Sequence, residues 1–133
     1  MKNNDRPLSP HLQIYKPQIT SILSISHRFT GIILYLSTFL ITFYLLTLAL
    51  ATSTLAISDI FQEIYKFIMI FSYSKFGNLI LFLITLSFIY HFLNGIRHLI
   101  WDFGFGFKII NVYFTGFLII FLSLTLNFYF WFF

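Results

Sequence analysis

The sequence predicts an all-α membrane protein with three transmembrane helices, an N-terminal surface arm and a short interfacial helix. Hydrophobic residues make up 59% of its 133 positions and charged residues only 9%, whereas about a quarter of residues are charged in soluble domains. Three long charge-free stretches each exceed the roughly 20 residues needed to cross about 30 Å of hydrocarbon. The 20 Phe residues are more than one small core needs, so most apolar surface is expected to face lipid or other membrane subunits.

Composition also excludes several classes of protein. The chain contains no Cys, which excludes a disulfide framework, an iron–sulfur cluster and a Cys-ligated zinc site on this polypeptide. Its net charge of +4 comes from few charged residues, so it indicates orientation in a membrane and not binding to nucleic acid. The length allows one domain, too small to form a channel or carrier by itself. We therefore expect a single membrane-anchor domain, residues 1–133.

Residues 1–22 are predicted to form the surface arm. All the prolines, Pro7, Pro10 and Pro17, fall within it and would interrupt the amphipathic helix of an organellar presequence. The arm also lacks the apolar segment of a secretory signal peptide. We expect an ordered, extended segment on one membrane surface, with His11 as a surface residue.

The first span is predicted at residues 23–50, because no charged residue occurs between Phe29 and Ser58. The next segment, residues 59–72, alternates charged residues with apolar residues at helical spacing. This pattern favours an amphipathic helix in the membrane interface over another span. The charged residues in and beside it are Asp59, Glu63, Lys66 and Lys75.

Two further spans are predicted at residues 76–101 and 109–132, joined by a short glycine-containing loop at 102–108. Trp101 and Trp131 fall near opposite ends of these spans, and indole rings prefer the headgroup region of a bilayer. With the first span, this gives three membrane crossings and no internal repeat.

Positive charge is divided unevenly between the two ends of the spans. Six Lys or Arg residues lie on the side of the N-terminal arm, and two lie on the opposite side beside acidic residues. The cytoplasmic or matrix side of a membrane protein carries the excess of Lys and Arg. We therefore expect the N-terminus on that side and the C-terminus outside. The N-terminal-side residues are Lys2, Arg6, Lys16, Arg28, Arg97 and Lys108, and the opposite ones are Lys66 and Lys75.

Ser24 and Arg28 are the first candidates for function, because polar side chains inside a membrane are costly. Their separation of four residues puts them on one helix face, which Gly31 continues. A hydroxyl and a guanidinium suit a neutral ligand with carbonyl or hydroxyl oxygens, whose negative charge on reduction the guanidinium would stabilise. The alternative is structural: Arg28 reaches the headgroups to anchor the helix, and Ser24 caps it.

His91 is the second candidate. At 100° per residue, His91, His98 and Asp102 fall within about 20° of one line. His91 lies about 16 Å from Asp102 along a helix and is expected near mid-depth, where a neutral imidazole needs a partner for its ring nitrogens. Haem iron is one such partner, and Gly95 would let a flat macrocycle approach the backbone. A hydrogen bond to a Ser or a carbonyl of a neighbouring helix is the alternative.

His98 lies nearer the predicted membrane surface. Its position one turn before Asp102 favours a pair between these two side chains, with contact to a propionate or a quinone as the alternative. The first and third spans contain no His at membrane depth, since His27 lies beside Arg28 at the predicted interface. A haem with two axial imidazoles therefore cannot be completed by this chain. If His91 binds haem, the second ligand comes from another polypeptide.

Three sequence segments carry a more specific signal. Residues 6–19 are RPLSPHLQIYKPQI, residues 24–31 are SISHRFTG and residues 90–104 are YHFLNGIRHLIWDFG. Together they resemble the cytochrome b (large membrane-anchor) subunit of succinate dehydrogenase. Elsewhere the resemblance extends only to hydropathy, and residues 50–75 contain no family motif.

The resemblance implies a membrane-anchor subunit in a complex with a flavoprotein subunit, an iron–sulfur subunit and a small membrane-anchor subunit. It implies that His91 is an axial ligand of haem b, shared with the small anchor, and that Ser24 and Arg28 line the ubiquinone site. His27, Arg28 and His98 would lie near the haem propionates. No residue of this chain is then catalytic: the flavoprotein oxidises succinate, and electrons reach ubiquinone, the substrate, through iron–sulfur clusters.

Three other functions stay open at this point. The chain can belong to a quinol–fumarate reductase that runs the reverse reaction, or it can be a purely structural anchor without haem. A transport subunit is a poorer match, because it would need polar residues through the middle of several spans. The lack of a presequence fits a bacterial cytoplasmic membrane, an organelle-encoded subunit or an import signal already removed. The frequent Phe, Ile, Tyr and Asn favour the mitochondrial inner membrane, with the N-terminus in the matrix, over the bacterial membrane.

Overall fold

Four α-helices form the part of the chain that the structure, a computed structural model, describes: residues 16–53 and 58–133. Three of the helices are long and apolar enough to cross a membrane, and the second helix is shorter. No strand occurs within the described ranges. The predicted all-α membrane fold with three spans is confirmed, and the helices are α1 (Ile19–Ala51), α2 (Ser58–Tyr73), α3 (Lys75–Asp102) and α4 (Ile109–Phe132).

The first helix begins earlier than predicted, which corrects the end of the predicted arm. α1 starts at Ile19, immediately after the extended residue Gln18, so residues 19–22 are helical. Packing explains the extension: Leu23 is only 2% exposed and forms a buried cluster with α3 and α4, against which Ile19 also packs. Ser24 therefore lies inside α1 and does not cap it. The remainder of the predicted arm up to residue 15, including His11, lies outside the described residues.

The predicted helix at 59–72 is confirmed as α2. Its Gln62 side chain donates a hydrogen bond to the carbonyl oxygen of Ala51, so α2 lies at the end of the bundle where α1 finishes. None of its residues is buried, although α2 packs against α1, with the Tyr65 hydroxyl 3.5 Å from that of Tyr44. Its location at the membrane interface stays a prediction.

Local capping explains where α3 begins and ends. The Ser74 hydroxyl accepts a hydrogen bond from the Gly77 backbone N–H, which satisfies one of the free donors at the helix start. At the other end the Gly104 N–H bonds to the Trp101 carbonyl and the Phe105 N–H to the Ile100 carbonyl. This is a Schellman ending, which requires a left-handed residue just beyond the helix. Gly104 fills that position with φ of +86°.

The three long helices pack through small and polar residues, the reverse of a soluble core. Most large apolar side chains point outward, whereas the buried residues include three serines, two asparagines, a threonine and an arginine. Small and hydroxylated side chains let membrane helices approach closely, because lipid supplies no hydrophobic force between them. The buried polar residues are Ser37, Thr47, Ser87, Asn94, Arg97, Ser123 and Asn127.

Hydrogen bonds join α3 to α4 at both ends. At one end the Arg97 guanidinium donates to the Val112 carbonyl at 2.9 Å and to the Thr115 hydroxyl at 3.1 Å. At the other end Asn127, fully buried, accepts from the Thr85 hydroxyl at 2.8 Å. Both contacts fix the antiparallel register of the two helices.

Candidate functional site

Three histidines converge where the start of α1 meets the end of α3. The rings of His27 and His91 stack with their centroids 3.9 Å apart and their planes 9° from parallel. The His98 ring lies 5.3 Å from that of His27. The predicted common face of His91 and His98 is therefore confirmed, and it points at α1. We refer to His27, His91 and His98 as the histidine cluster.

His91 is held by its Nδ1 atom. This nitrogen lies 3.1 Å from the main-chain carbonyl oxygen of His27 and 3.2 Å from the hydroxyl oxygen of Thr30. A carbonyl oxygen can only accept a hydrogen bond, so Nδ1 carries the proton of the neutral ring. Nε2 then holds the free lone pair, and it forms no hydrogen bond with any residue in the described ranges. A metal-ligating histidine has the same arrangement.

Two glycines lie beside the histidine cluster. A Cβ at Gly31 would lie 3.2 Å from Cε1 of His91, so the ring rests closely on the backbone of α1. A Cβ at Gly95 would meet only Cε1 of His27, at an ordinary 3.9 Å. Gly31 therefore lets the His91 ring approach α1. Sequence analysis predicted that Gly95 makes room for a macrocycle, and no contact among the described residues requires a glycine there.

His98 does not form the predicted pair with Asp102. Within residues 16–53 and 58–133, the one ion pair is between Lys66 and Glu63, and Asp102 is exposed at the end of α3. The His98 ring instead packs edge-on against Trp101 at 5.2 Å. His98 packs toward His27 on α1, and the Asp102 carboxylate stays exposed.

Ser24 and Arg28 lie on α1 on either side of His27 in the sequence. Ser24 is half-buried and Arg28 is exposed. Neither side chain forms a hydrogen bond or ion pair with another of the described residues. Within residues 16–53 and 58–133, the guanidinium is therefore not committed to a partner. A free guanidinium beside a hydroxyl is compatible with the predicted ligand site, and also with the headgroup anchor.

The level of His91 in the bundle is set by its contacts with α1. It touches Thr30 and Gly31, which follow Arg28 by two and three residues, a rise of about 3–5 Å. The distance from Asp102 along α3 is about 16 Å. Along the helix axes, Arg28 is therefore much closer to His91 than Asp102 is. The Ser24–Arg28 site and the histidine cluster thus lie next to each other.

The structure also shows that Asn94 and Arg97, to which sequence analysis assigned no role in a site, are buried on α3 beside the helix face of the histidine cluster. Asn94 is fully buried, and neither its amide nitrogen nor its amide oxygen has a hydrogen-bond partner among the described residues. Arg97 is 4% exposed, and its guanidinium lies 4.2 Å above the Trp101 ring. The signal for both was their spacing, since Ser87, Tyr90, Asn94 and Arg97 recur every three or four residues on α3. Such spacing marks one helix face.

Comparison with known proteins identifies the family. Residues 2–130 match the family described as Succinate dehydrogenase/Fumarate reductase transmembrane subunit. The chain belongs to this family. Its members form part of an oxidoreductase complex, so the chain functions with other subunits, as the sequence resemblance implied.

Relatives within the family match almost the whole chain. The succinate dehydrogenase cytochrome b556 subunit of Rickettsia prowazekii is 39% identical over 129 residues, which cover 96% of this chain and 92% of the relative. The succinate dehydrogenase cytochrome b560 subunit of Reclinomonas americana is 40% identical over 119 residues, or 89% and 78% of the two chains. The corresponding b560 subunit of Marchantia polymorpha is 40% identical over 121 residues, or 91% and 84%.

Proposed function

We propose that this chain binds haem b jointly with a second membrane-anchor subunit and forms part of the site where ubiquinone is reduced. The haem-binding part of this proposal depends on the hydrogen bonding of the His91 ring. Its Nδ1 atom donates to a main-chain carbonyl, which leaves Nε2 as an unprotonated nitrogen that can ligate iron. When bound, haem b would supply one-electron redox chemistry.

The surroundings of His91 fit a haem group. Nδ1 of His27 is buried without a hydrogen-bond partner among the described residues, and such an atom costs free energy unless a polar group or water reaches it. A haem propionate would be such a group, and His98 in the same histidine cluster would be a second contact. Among the described histidines, only His91 has Nδ1 against a main-chain carbonyl, which supports sharing the haem with a second anchor subunit.

Ser24 and Arg28 support the ubiquinone half of the proposal. The Arg28 guanidinium is exposed on α1, two residues before Thr30, which contacts His91. A fixed positive charge in a medium of low dielectric stabilises negative charge that develops on a quinone oxygen. The Ser24 hydroxyl, one turn earlier, can donate to a quinone carbonyl. These two residues bind and orient, and electrons originate from succinate oxidised on a flavoprotein partner and pass through iron–sulfur clusters.

The names of the relatives favour succinate oxidation over fumarate reduction, although the family description includes both. Relatives named from Reclinomonas and Marchantia support a mitochondrial inner membrane location, with a bacterial cytoplasmic membrane as the alternative supported by the Rickettsia relatives. The N-terminus is proposed to lie on the matrix side because of the excess of Lys and Arg there.

Replacement of His91 tests the haem assignment. We expect His91→Ala to abolish the bis-imidazole haem signal in a reduced-minus-oxidised absorbance spectrum of the purified complex, because one axial ligand is lost. Phe88→Ala is the matched control: it removes a larger ring from an exposed position on the same helix and should leave the spectrum intact. Subunit content is checked by gel. An unchanged bis-imidazole spectrum in the fully assembled His91→Ala complex would contradict the proposal.

A further inference from the structure

Thr30 has a hydrogen-bonding arrangement that leaves it able to accept from His91. Its hydroxyl oxygen lies 2.9 Å from the carbonyl oxygens of both Ser26 and His27. The hydroxyl has a single hydrogen, and it is donated to one of these carbonyls. The lone pairs that remain face Nδ1 of His91 at 3.2 Å. The Nδ1–H group is therefore shared between two acceptors, the Thr30 hydroxyl and the His27 carbonyl.

Gly31 controls how closely the ring of His91 lies on α1. A Cβ at this position would be 3.2 Å from Cε1 and 3.7 Å from Nδ1 of His91, so a methyl group would move the ring by a few tenths of an ångström. The His27 ring stacks on the His91 ring within 9° of parallel. The α1 backbone and the His27 ring together restrict both the position and the plane of the His91 imidazole.

We propose that Thr30 and Gly31 are positioning residues for His91: the Thr30 hydroxyl accepts a second hydrogen bond from Nδ1–H, beside the one to the His27 carbonyl, and Gly31 sets the ring plane. The inference rests on the proposed haem function and extends it to two residues that do not touch the iron. A hydrogen bond to Nδ1–H makes Nε2 a stronger electron donor. A stronger donor stabilises ferric over ferrous iron, so the Thr30 contact lowers the reduction potential of the haem.

The experiment compares variants of Thr30 in the assembled complex by redox titration of the haem absorbance. Thr30→Val removes the acceptor while keeping the shape of the side chain, and we expect a higher midpoint potential at unchanged haem content. Thr30→Ser retains the hydroxyl and should keep the wild-type potential. Thr30→Ala removes the same hydroxyl with less bulk and gives the same readout if the valine variant does not assemble.

Gly31→Ala provides an independent readout. The electron paramagnetic resonance spectrum of low-spin ferric haem depends on the relative orientation of the two axial imidazole planes. We expect Gly31→Ala to shift its g values, because the new methyl group displaces the His91 ring. Ile32→Ala, at an exposed position next to Gly31 on α1, is the comparison for a substitution on the same helix, and its g values should equal those of the wild type.

The outcomes separate the two proposals. If His91→Ala abolishes the haem signal but the Thr30→Val potential and the Gly31→Ala spectrum equal those of the wild type, His91 is a ligand and the positioning role is overturned. Equal potential shifts in Thr30→Val and Thr30→Ser also overturn the role of the hydroxyl. If the wild-type complex has no bis-imidazole haem, both the proposed function and this inference fail.

Discussion

Arg28 is exposed and has no ion-pair partner among the described residues. Its replacement should therefore affect ligand binding and not the packing of the helices. If the guanidinium stabilises charge on a quinone, Arg28→Ala removes a charge-assisted hydrogen bond of about 1.5–3 kcal/mol, equivalent to about a 10- to 160-fold loss of rate. We expect that loss in succinate–quinone reductase activity. Succinate oxidation by an artificial dye should persist, because it does not need the quinone site.

Two variants serve as controls for this measurement. Arg28→Lys keeps the charge but loses the planar fork of donors, so it should retain part of the activity. Lys75→Ala removes an exposed positive charge at the start of α3, the opposite end of the bundle, and should reduce neither activity. A parallel loss of quinone and dye activities in Arg28→Ala would assign Arg28 to assembly instead.

Arg97 shows a different use of a guanidinium at the same end of the bundle. It is almost fully buried, and its charge is balanced by a hydroxyl, a carbonyl and the face of Trp101. A cation desolvated over an indole ring gains about 2 kcal/mol or more, and the two hydrogen bonds satisfy donors that would otherwise be costly to bury. Arg97 therefore joins α3 to α4.

The contrast between these residues explains what could be predicted from sequence. The common face of His91 and His98 follows from helix periodicity alone, and the structure confirms it. The burial of Arg97 and the rotation of His98 away from Asp102 depend on which helices pack on that face and at what rotation. Thr30 was likewise beyond sequence reasoning, because its contact with His91 joins residues 61 positions apart.

At the scale of the helices, hydropathy predicted the spans well because lipid demands uninterrupted apolar helices. The observed bounds of α3 and α4, Lys75–Asp102 and Ile109–Phe132, agree with the prediction within one residue. The start of α1 was predicted too late because the first turn is held by packing of Leu23 against α4, and not by a cap or a change in composition. Hydropathy contains no information about such a contact.

Gly77 and Gly116 both lie at helix contacts, but we expect their replacement by Ala to destabilise the fold to different extents. A Cβ at Gly77 would overlap the Phe71 carbonyl oxygen, which belongs to the backbone of α2 and cannot move without distorting the α2–α3 corner. At Gly116 it would meet the end of the Leu23 side chain, 2.7 Å away, which can change rotamer. We expect Gly77→Ala to destabilise the fold by about 1–3 kcal/mol or more, and Gly116→Ala by less.

The melting temperature of the purified complex in detergent measures both effects. Asn78→Ala, at an exposed position next to Gly77, is the control for a change in helix propensity, and it should be neutral or slightly stabilising. A melting temperature for Gly77→Ala equal to that of Gly116→Ala would indicate that the corner adapts as readily as a side chain does.

At the scale of the whole molecule, the distribution of charge follows the bundle. Lys16, Arg28 and Lys108 lie at the end formed by the start of α1 and the start of α4, whereas the Lys66–Glu63 pair lies on α2 at the other end. Buried Arg97 belongs to the first end through its contact with the first turns of α4. The helix arrangement thus keeps the positive residues of the described ranges on the two sides that sequence analysis assigned to them.

Orientation in the membrane can be measured because the chain has no Cys, so an introduced thiol is unique in it. Phe105→Cys lies in the α3–α4 loop, and Phe133→Cys lies beyond the end of α4; both side chains are exposed. The excess of Lys and Arg predicts that the loop faces the matrix or cytoplasm. In sealed mitoplasts or spheroplasts, a membrane-impermeant maleimide should label residue 133 at once and residue 105 only after permeabilisation. The permeabilised sample controls for shielding by partner subunits, and labelling in the opposite order would reverse the topology and move Arg28 and the histidine cluster to the outer side of the membrane.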